Sequence, residues 1–334
     1  MVVAFLLLLA SAGVIYLSCE MFVNGVEWLG RRLDISQTAT GTILAAFGTA
    51  LPESVVTLVA TAFSDHDAQK QIGIGAALGG PLALSTVAYA IVGVSLLVYG
   101  QRLGRAPGAL VEVNGTRLSR DQAWFMGIFV FKITLGVVAF SIKPWLGWVF
   151  LAAYAGYFWT EMRGGNDEGA DEGALEPLNI RPHDEAPHIG WILLQTIAAT
   201  VVIFLASRLF VGQLEAVGPW LGISPQLTAL LLSPIATELP ETMNALIWVR
   251  QGKERLALAN ISGAMMIQAT IPTAFGLFFT PWLLDAPLLV AAAVTSLSIC
   301  FLFQAFRRGA VGGMALSQVG WLYGVFCLGA LAVR

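Results

Sequence analysis

Two glutamates, Glu53 and Glu241, each stand about halfway along an apolar stretch, inside a Leu-Pro-Glu triplet and four residues after a threonine, Thr49 or Thr237. An ionised carboxylate in mid-bilayer costs at least ~2.5 kcal/mol, so an acid held there marks a functional site. Carboxylates and hydroxyls are hard oxygen donors, and a calcium ion takes about six to eight such oxygens. The two acids and two threonines, with carbonyls freed where a proline removes a helical donor and with water, would complete that shell. Without a cation the two acids repel, and one should hold a proton. Glu238 adds a third acid. It precedes Glu241 by three residues, which on a helix puts both on nearly one face, and Pro240 stands between them to rotate it away. It either shares the cavity, where a third acid favours proton coupling, or caps a broken helix end.

The elements that hold these residues must cross a membrane. The chain has 334 residues, 57% hydrophobic and 12% charged, with a mean hydropathy of +0.76. A soluble domain carries charge on about a quarter of its residues. Of the 39 Asp, Glu, Lys and Arg, 16 fall in two short stretches, Arg102 to Asp121 and Glu161 to His188. Open strands would leave backbone groups unpaired in lipid, and the apolar runs have the length of helices, so the expected fold is all-α. Apolar runs predict ten transmembrane helices: 2–28, 37–62, 72–99, 123–141, 143–160, 189–216, 224–249, 255–279, 283–303 and 310–332. Ala10, Ser11 and Ala12 resemble a cleavage site, but no basic leader precedes the first run, which reads as a mature helix.

The chain repeats itself. Phe22 to Glu53 aligns with Phe210 to Glu241 at a constant offset of 188, and 13 of 32 positions are identical. Each copy opens a block of five predicted helices. Five is odd, so the second block enters from the opposite side. Two inverted five-helix repeats, residues 1–160 and 189–334, follow, joined by an acidic cytoplasmic linker over 161–188. Secondary transporters built this way place ion sites near the midplane on helices broken by Gly and Pro. Here Gly48 and Pro52 break the second helix, and Pro234 and Pro240 the seventh.

Thirteen Lys and Arg fall on the side of the first loop and three on the other, and the excess marks the cytoplasmic face. Both termini are therefore expected outside the cytoplasm, in an inner or plasma membrane. The linker, with eight acids, three prolines and four glycines, is expected to be loosely ordered. Glu27 and Glu215 are expected to meet interfacial water. Glu20 and Arg208 should snorkel or pair locally, and 65–67 forms a solvated turn. Lys132, inside the fourth span, either pairs with a site acid or snorkels. Cys19, Cys300 and Cys327 read as packing residues. A net charge of −3 without a basic stripe argues against a nucleic-acid partner. With three loop-bound histidines and no nucleophile motif, no enzymatic activity and no cofactor are expected.

GTALPES around Glu53 and ATELPET around Glu241 resemble the α-repeats of the cation/calcium antiporter superfamily, which includes sodium/calcium exchangers. The resemblance covers both halves of the chain. It implies ten helices with outside termini, and calcium held by Glu53 and Glu241 with Thr49 and Thr237 beside them. The family's second signature, GNxxGSN, is partly matched by ANISGAM, which supplies Asn260 and Gly263, and by GAALGGP, which supplies Gly75 and Gly79. Ala50 and Glu238 stand in place of motif serines, Ala76 in place of an asparagine, and Pro81 and Met265 in place of the final asparagines. The leading expectation is calcium exchanged for sodium or protons, and fewer neutral oxygens with one more acid point toward proton exchange, a different stoichiometry or another divalent ion. The alternatives are a proton-coupled manganese or magnesium exchanger and a transport-inactive cation sensor. Ser85, Gln268 and Ser233 are weaker site candidates.

Overall fold

The computed structural model describes residues 2–32, 50–100, 102, 104, 106, 109–163 and 176–333. Eleven α-helices carry almost all of them: α1 Val2–Arg32, α2 Leu51–Ala62, α3 Asp67–Tyr99, α4 Gly115–Val137, α5 Gly147–Arg163, α6 Ile189–Leu221, α7 Pro225–Thr237, α8 Leu239–Arg250, α9 Glu254–Phe279, α10 Ala286–Phe306 and α11 Gly313–Ala332. Six of them (α1, α3, α6, α9, α10 and α11) are long and apolar enough to span a membrane by length and composition. Within α3 the helix widens to a π-turn at Leu84–Ala88, three residues past Pro81. A proline without an N–H disturbs the ladder there.

One expectation from the sequence holds and one changes. The seventh span is broken, as expected, into two helices, α7 and α8, which meet at Glu238. The last span begins at Gly313, because Ala310–Gly312 forms a short antiparallel ribbon with Leu110–Glu112. Of the second span, residues 37–49 lie outside those described, and Thr49 with them.

The helices pack around α9. Of its apolar stretch 78% is buried in the protein, against 28% for α1 and for α6, so α9 is central and the other two leave most of their apolar surface on the outside of the bundle. Contacts come in pairs that interchange the two halves of the chain. The second-half helix α9 receives α2, α4 and α5, while the first-half helix α3 receives α8, α10 and α11. The helices α1 and α6 lie against each other, and α3 lies against α7. Close approach is bought with glycine: a Cβ at Gly75 would collide with the Gln226 carbonyl of α7, and one at Gly25 with the Thr196 hydroxyl of α6.

The linker departs from the loose order expected of it over 176–188; residues 164–175 are outside those described. Leu178 is fully buried beside Trp28 and Ile192. Asn24 of α1 donates to the carbonyls of Glu176 and Pro177, Trp28 Nε1 donates to Glu176, and Gln195 of α6 accepts from the Ile180 amide. Gln195 Nε2 also donates to Asn24 Oδ1 at 2.9 Å, so the strap ties α1 to α6.

Candidate cation site

Each half begins a helix with the same three residues. Leu51, Pro52 and Glu53 open α2, and Leu239, Pro240 and Glu241 open α8. Proline fits the first turn because amides there have no intrahelical partner. The acid lies where the positive end of the helix dipole stabilises a carboxylate. The residue before each helix has almost the same backbone: Ala50 at φ −84°, ψ −1° and Glu238 at φ −98°, ψ −1°. One geometry thus presents a methyl group in the first half and a third carboxylate in the second.

Glu53, Thr237 and Glu241 are fully buried, and Glu238 is nearly so. Glu53 Oε2 lies 2.7 Å from Thr237 Oγ1, and the same hydroxyl lies 3.0 Å from Glu238 Oε1 and 3.2 Å from the Ser233 carbonyl. The second oxygen of Glu238 accepts from Gln268 Nε2 of α9 at 2.6 Å. The Glu238 side chain makes no capping bond at the helix start; it joins Glu53 across the Thr237 hydroxyl. Glu241 lies one turn along α8 from that break. Asn260, on α9, is buried with its Nδ2 unpartnered.

The oxygens around this cluster have capacity to spare. Glu53 Oε1, Gln268 Oε1, Ser233 Oγ and Thr57 Oγ1 are buried without a hydrogen-bond partner. Buried orphan oxygens cost free energy, and a cation would supply what they lack. Among the described residues no three acids, histidines or cysteines converge as a metal-binding group. What the Thr237 cluster offers is therefore two carboxylates with neutral oxygens, a donor set for a hard ion. Two other charged residues depart from the sequence reading. Lys132 does not snorkel: its Nζ is fully buried, donates to the Ala77 carbonyl at 2.9 Å and, among the described residues, makes no contact ion pair, with Glu53 the acid within electrostatic range. Glu215 is not simply solvated, since it accepts from Gln69 at 2.6 Å and faces His66 at 3.3 Å.

Residues 3–162 and 191–333 match the family model described as sodium/calcium exchanger protein. The chain belongs to that family. Among the relatives of this exchanger-family chain, Inner membrane protein YrbG of Escherichia coli (strain K12) is 25% identical and covers 100% of both chains. The putative antiporter CaxA of Alkalimonas amylolytica is 25% identical over 86% of this chain and 84% of its own. Two solved structures share the fold. The crystal structure of the H+/Ca2+ exchanger CAX has a TM-score of 0.74 at 17% identity, covering 97% of this chain and 82% of that one. The sodium-calcium exchanger NCX_Mj has a TM-score of 0.61 at 20% identity, covering 100% and 99%. With six membrane-length helices and this family, the chain is a membrane protein.

Three residues of this neighbourhood went underweighted in the sequence. Gln268 was visible as an amide in an apolar helix, eight residues past Asn260 and about 80° around the axis from it. Gly80 packs where a Cβ would lie 2.6 Å from Gln268 Oε1 and 2.9 Å from Glu238 Oε1, a constraint no local pattern reveals. Lys132 was noticed, but its carbonyl partner depends on tertiary packing.

Proposed function

We propose that the chain is a secondary antiporter exchanging calcium, or a related divalent cation, for sodium or protons across the membrane by alternating access. The observation that carries this is the pair of carboxylates, Glu53 from the first half and Glu238 from the second, meeting at one threonine hydroxyl inside a membrane protein. Glu241 and Asn260 lie close in sequence on the two helices that supply Glu238 and Gln268, and complete the proposed ligand set with Thr237. Thr49, outside the described residues, retains the place its symmetry with Thr237 gives it. Coupling follows from competition: a divalent ion and its counter-ion need the same carboxylates, so one excludes the other.

The proton is the counter-ion favoured by the hydrogen-bond count. One hydroxyl carries one proton but stands within bonding distance of two carboxylate oxygens and a carbonyl. In the cation-free site a proton on one carboxyl would supply the missing donor.

The architecture we infer is ten spans in two inverted repeats, with both termini outside. The 188-residue offset and the pairwise exchange of helix contacts support it. The lipid-facing pair α1 and α6, tied by the strap, would move against the remaining bundle to open the site to either side.

Purified protein in sealed vesicles, with a trapped calcium indicator, tests the reading. A vesicle interior more acidic, or richer in sodium, than the bath should drive calcium inward. Calcium entry indifferent to both gradients, or none at all, would overturn it.

A further inference from the structure

Lys132 is buried in the middle of the protein, and the exchange reaction described above makes no use of it. Its surroundings are specific. The Nζ atom donates to the Ala77 carbonyl at 2.9 Å and lies 5.3 Å from the centre of the Phe129 ring. The backbone carbonyl of Lys132 accepts from Trp282 Nε1 at 3.1 Å, which fixes α4 at this position. The residue also lies within electrostatic range of Glu53.

The partner carbonyl explains why an ammonium belongs there. In an α-helix the Ala77 carbonyl would accept from the amide four residues later, and that residue is Pro81, which has none. A carbonyl freed by a proline inside a membrane helix, and within electrostatic range of a carboxylate, is a place for a monovalent cation. The same stretch of α3 carries no other polar side chain to hold one: it reads Gly75, Ala76, Ala77, Leu78, Gly79, Gly80, Pro81.

We propose that the Lys132 ammonium is a tethered monovalent cation, occupying through the Ala77 carbonyl a subsite that would otherwise take a sodium ion. Lys132 is thereby a positioning and selectivity residue. It makes the first half of the site insensitive to sodium and sets the charge of the whole. Three ionised glutamates less one ammonium leave two negative charges, which one divalent ion neutralises. The inference rests on the cation-exchange reading, and it names the residue that decides which counter-ion that site refuses.

The test is calcium binding to the purified full-length protein in detergent, measured by calorimetry in choline chloride and again with sodium chloride in its place. Wild type should show little difference between the two salts. Lys132→Met should bind calcium about tenfold more tightly in choline, the scale of one like charge removed from partly screened surroundings. It should lose that gain in sodium. Pro81→Ala restores an amide to Ala77, so in the Lys132→Met background it should abolish the acquired sodium effect. A sodium effect equal in wild type and Lys132→Met would overturn the proposal. If Lys132→Met does not fold, Lys132→Gln keeps a donor to the carbonyl without the charge and should bind calcium about as much more tightly; unchanged affinity there would overturn it too. Should wild type bind no calcium, the exchange reading fails. The lysine subsite is then judged separately, by whether sodium raises the melting temperature of Lys132→Met and not that of wild type, with equal responses rejecting it.

Discussion

Replacing Glu238 by glutamine removes one charge and almost no volume. Glu53 Oε2 and Glu238 Oε1 lie 2.7 and 3.0 Å from one hydroxyl oxygen, so these carboxylate oxygens are within about 6 Å of each other. At that separation and an effective dielectric of about 20, two like charges repel by roughly 3 kcal/mol, and a divalent ion held at Glu53 is attracted to Glu238 by roughly twice as much. Glu238→Gln abolishes both terms. With a proton on one carboxyl of the cation-free site, as proposed, the repulsion arises only when calcium binds and offsets half of the attraction, so the net loss is roughly 3 kcal/mol, about a hundredfold in calcium affinity. Gln268 can turn its amide to present oxygen to the new side chain, so the fold has no reason to fail. Calorimetric titration of calcium into purified protein, with helix content checked by circular dichroism, measures this. Glu53→Gln should cost at least as much, because the ion is taken to sit at that carboxylate. If Glu238→Gln binds calcium within threefold of wild type while Glu53→Gln does not bind, Glu238 stands outside the ion's field and the geometric argument is wrong.

Gly80→Ala places a methyl group 2.6 Å from Gln268 Oε1 and 2.9 Å from Glu238 Oε1; vesicle calcium flux should fall at least about tenfold with the fold intact, overpacking of this kind costing about 1–3 kcal/mol, and unchanged flux would remove Glu238 from the site. Thr237→Val deprives two carboxylates of a shared donor, each such bond to a charged group being worth about 1.5–3 kcal/mol. Its melting temperature in calcium-free buffer should drop by several degrees, and an equal melting temperature would deny the hydroxyl its role. Leu178→Asp puts a charge where a fully buried side chain packs on α1 and α6. Proteolysis in the linker should accelerate about tenfold or more as the strap lifts; an unchanged rate would mean the strap is not held by that contact.

What the sequence made legible was whatever depends on local chemistry. Long apolar runs gave the helices because about 20 consecutive apolar residues are the length of a membrane-crossing helix, which pairs its backbone groups within itself. The repeated Leu-Pro-Glu marked both helix starts, because proline in a first turn is a local rule. The break at Glu238 was expected near Pro234 and Pro240, but its consequence was not. The direction in which the Glu238 side chain leaves that break depends on Thr237, Gln268 and Gly80, which come from two other helices as well as its own. The strap was misread for a related reason. Acids, glycines and prolines dominate its composition, yet Leu178 and the backbone of 176–180 find partners on Asn24, Trp28 and Gln195, far away in sequence. Composition cannot register a segment held by someone else's side chains.

The same distinction bears on how an exchanger changes its ions. Ala50 and Glu238 have nearly the same backbone and equivalent places in the repeat, so the architecture does not decide which half carries the third acid. The neighbours do. Glu238 has Gln268 Nε2 to accept from and a glycine at Gly80 that leaves room for both, whereas Ala50 is buried with a side chain that can make no polar contact. An added acid needs a donor to remain buried, and an added negative charge nearby needs balancing. In the proposal made above, Lys132, donating to the Ala77 carbonyl, would supply that positive charge from α4, which lies outside both Leu-Pro-Glu motifs. On this view the departures from the family signature form one compensated set. Neutral ligands lost from α3 are answered by an ammonium, and the acid gained at the break is answered by an amide, while the scaffold that presents them stays the same.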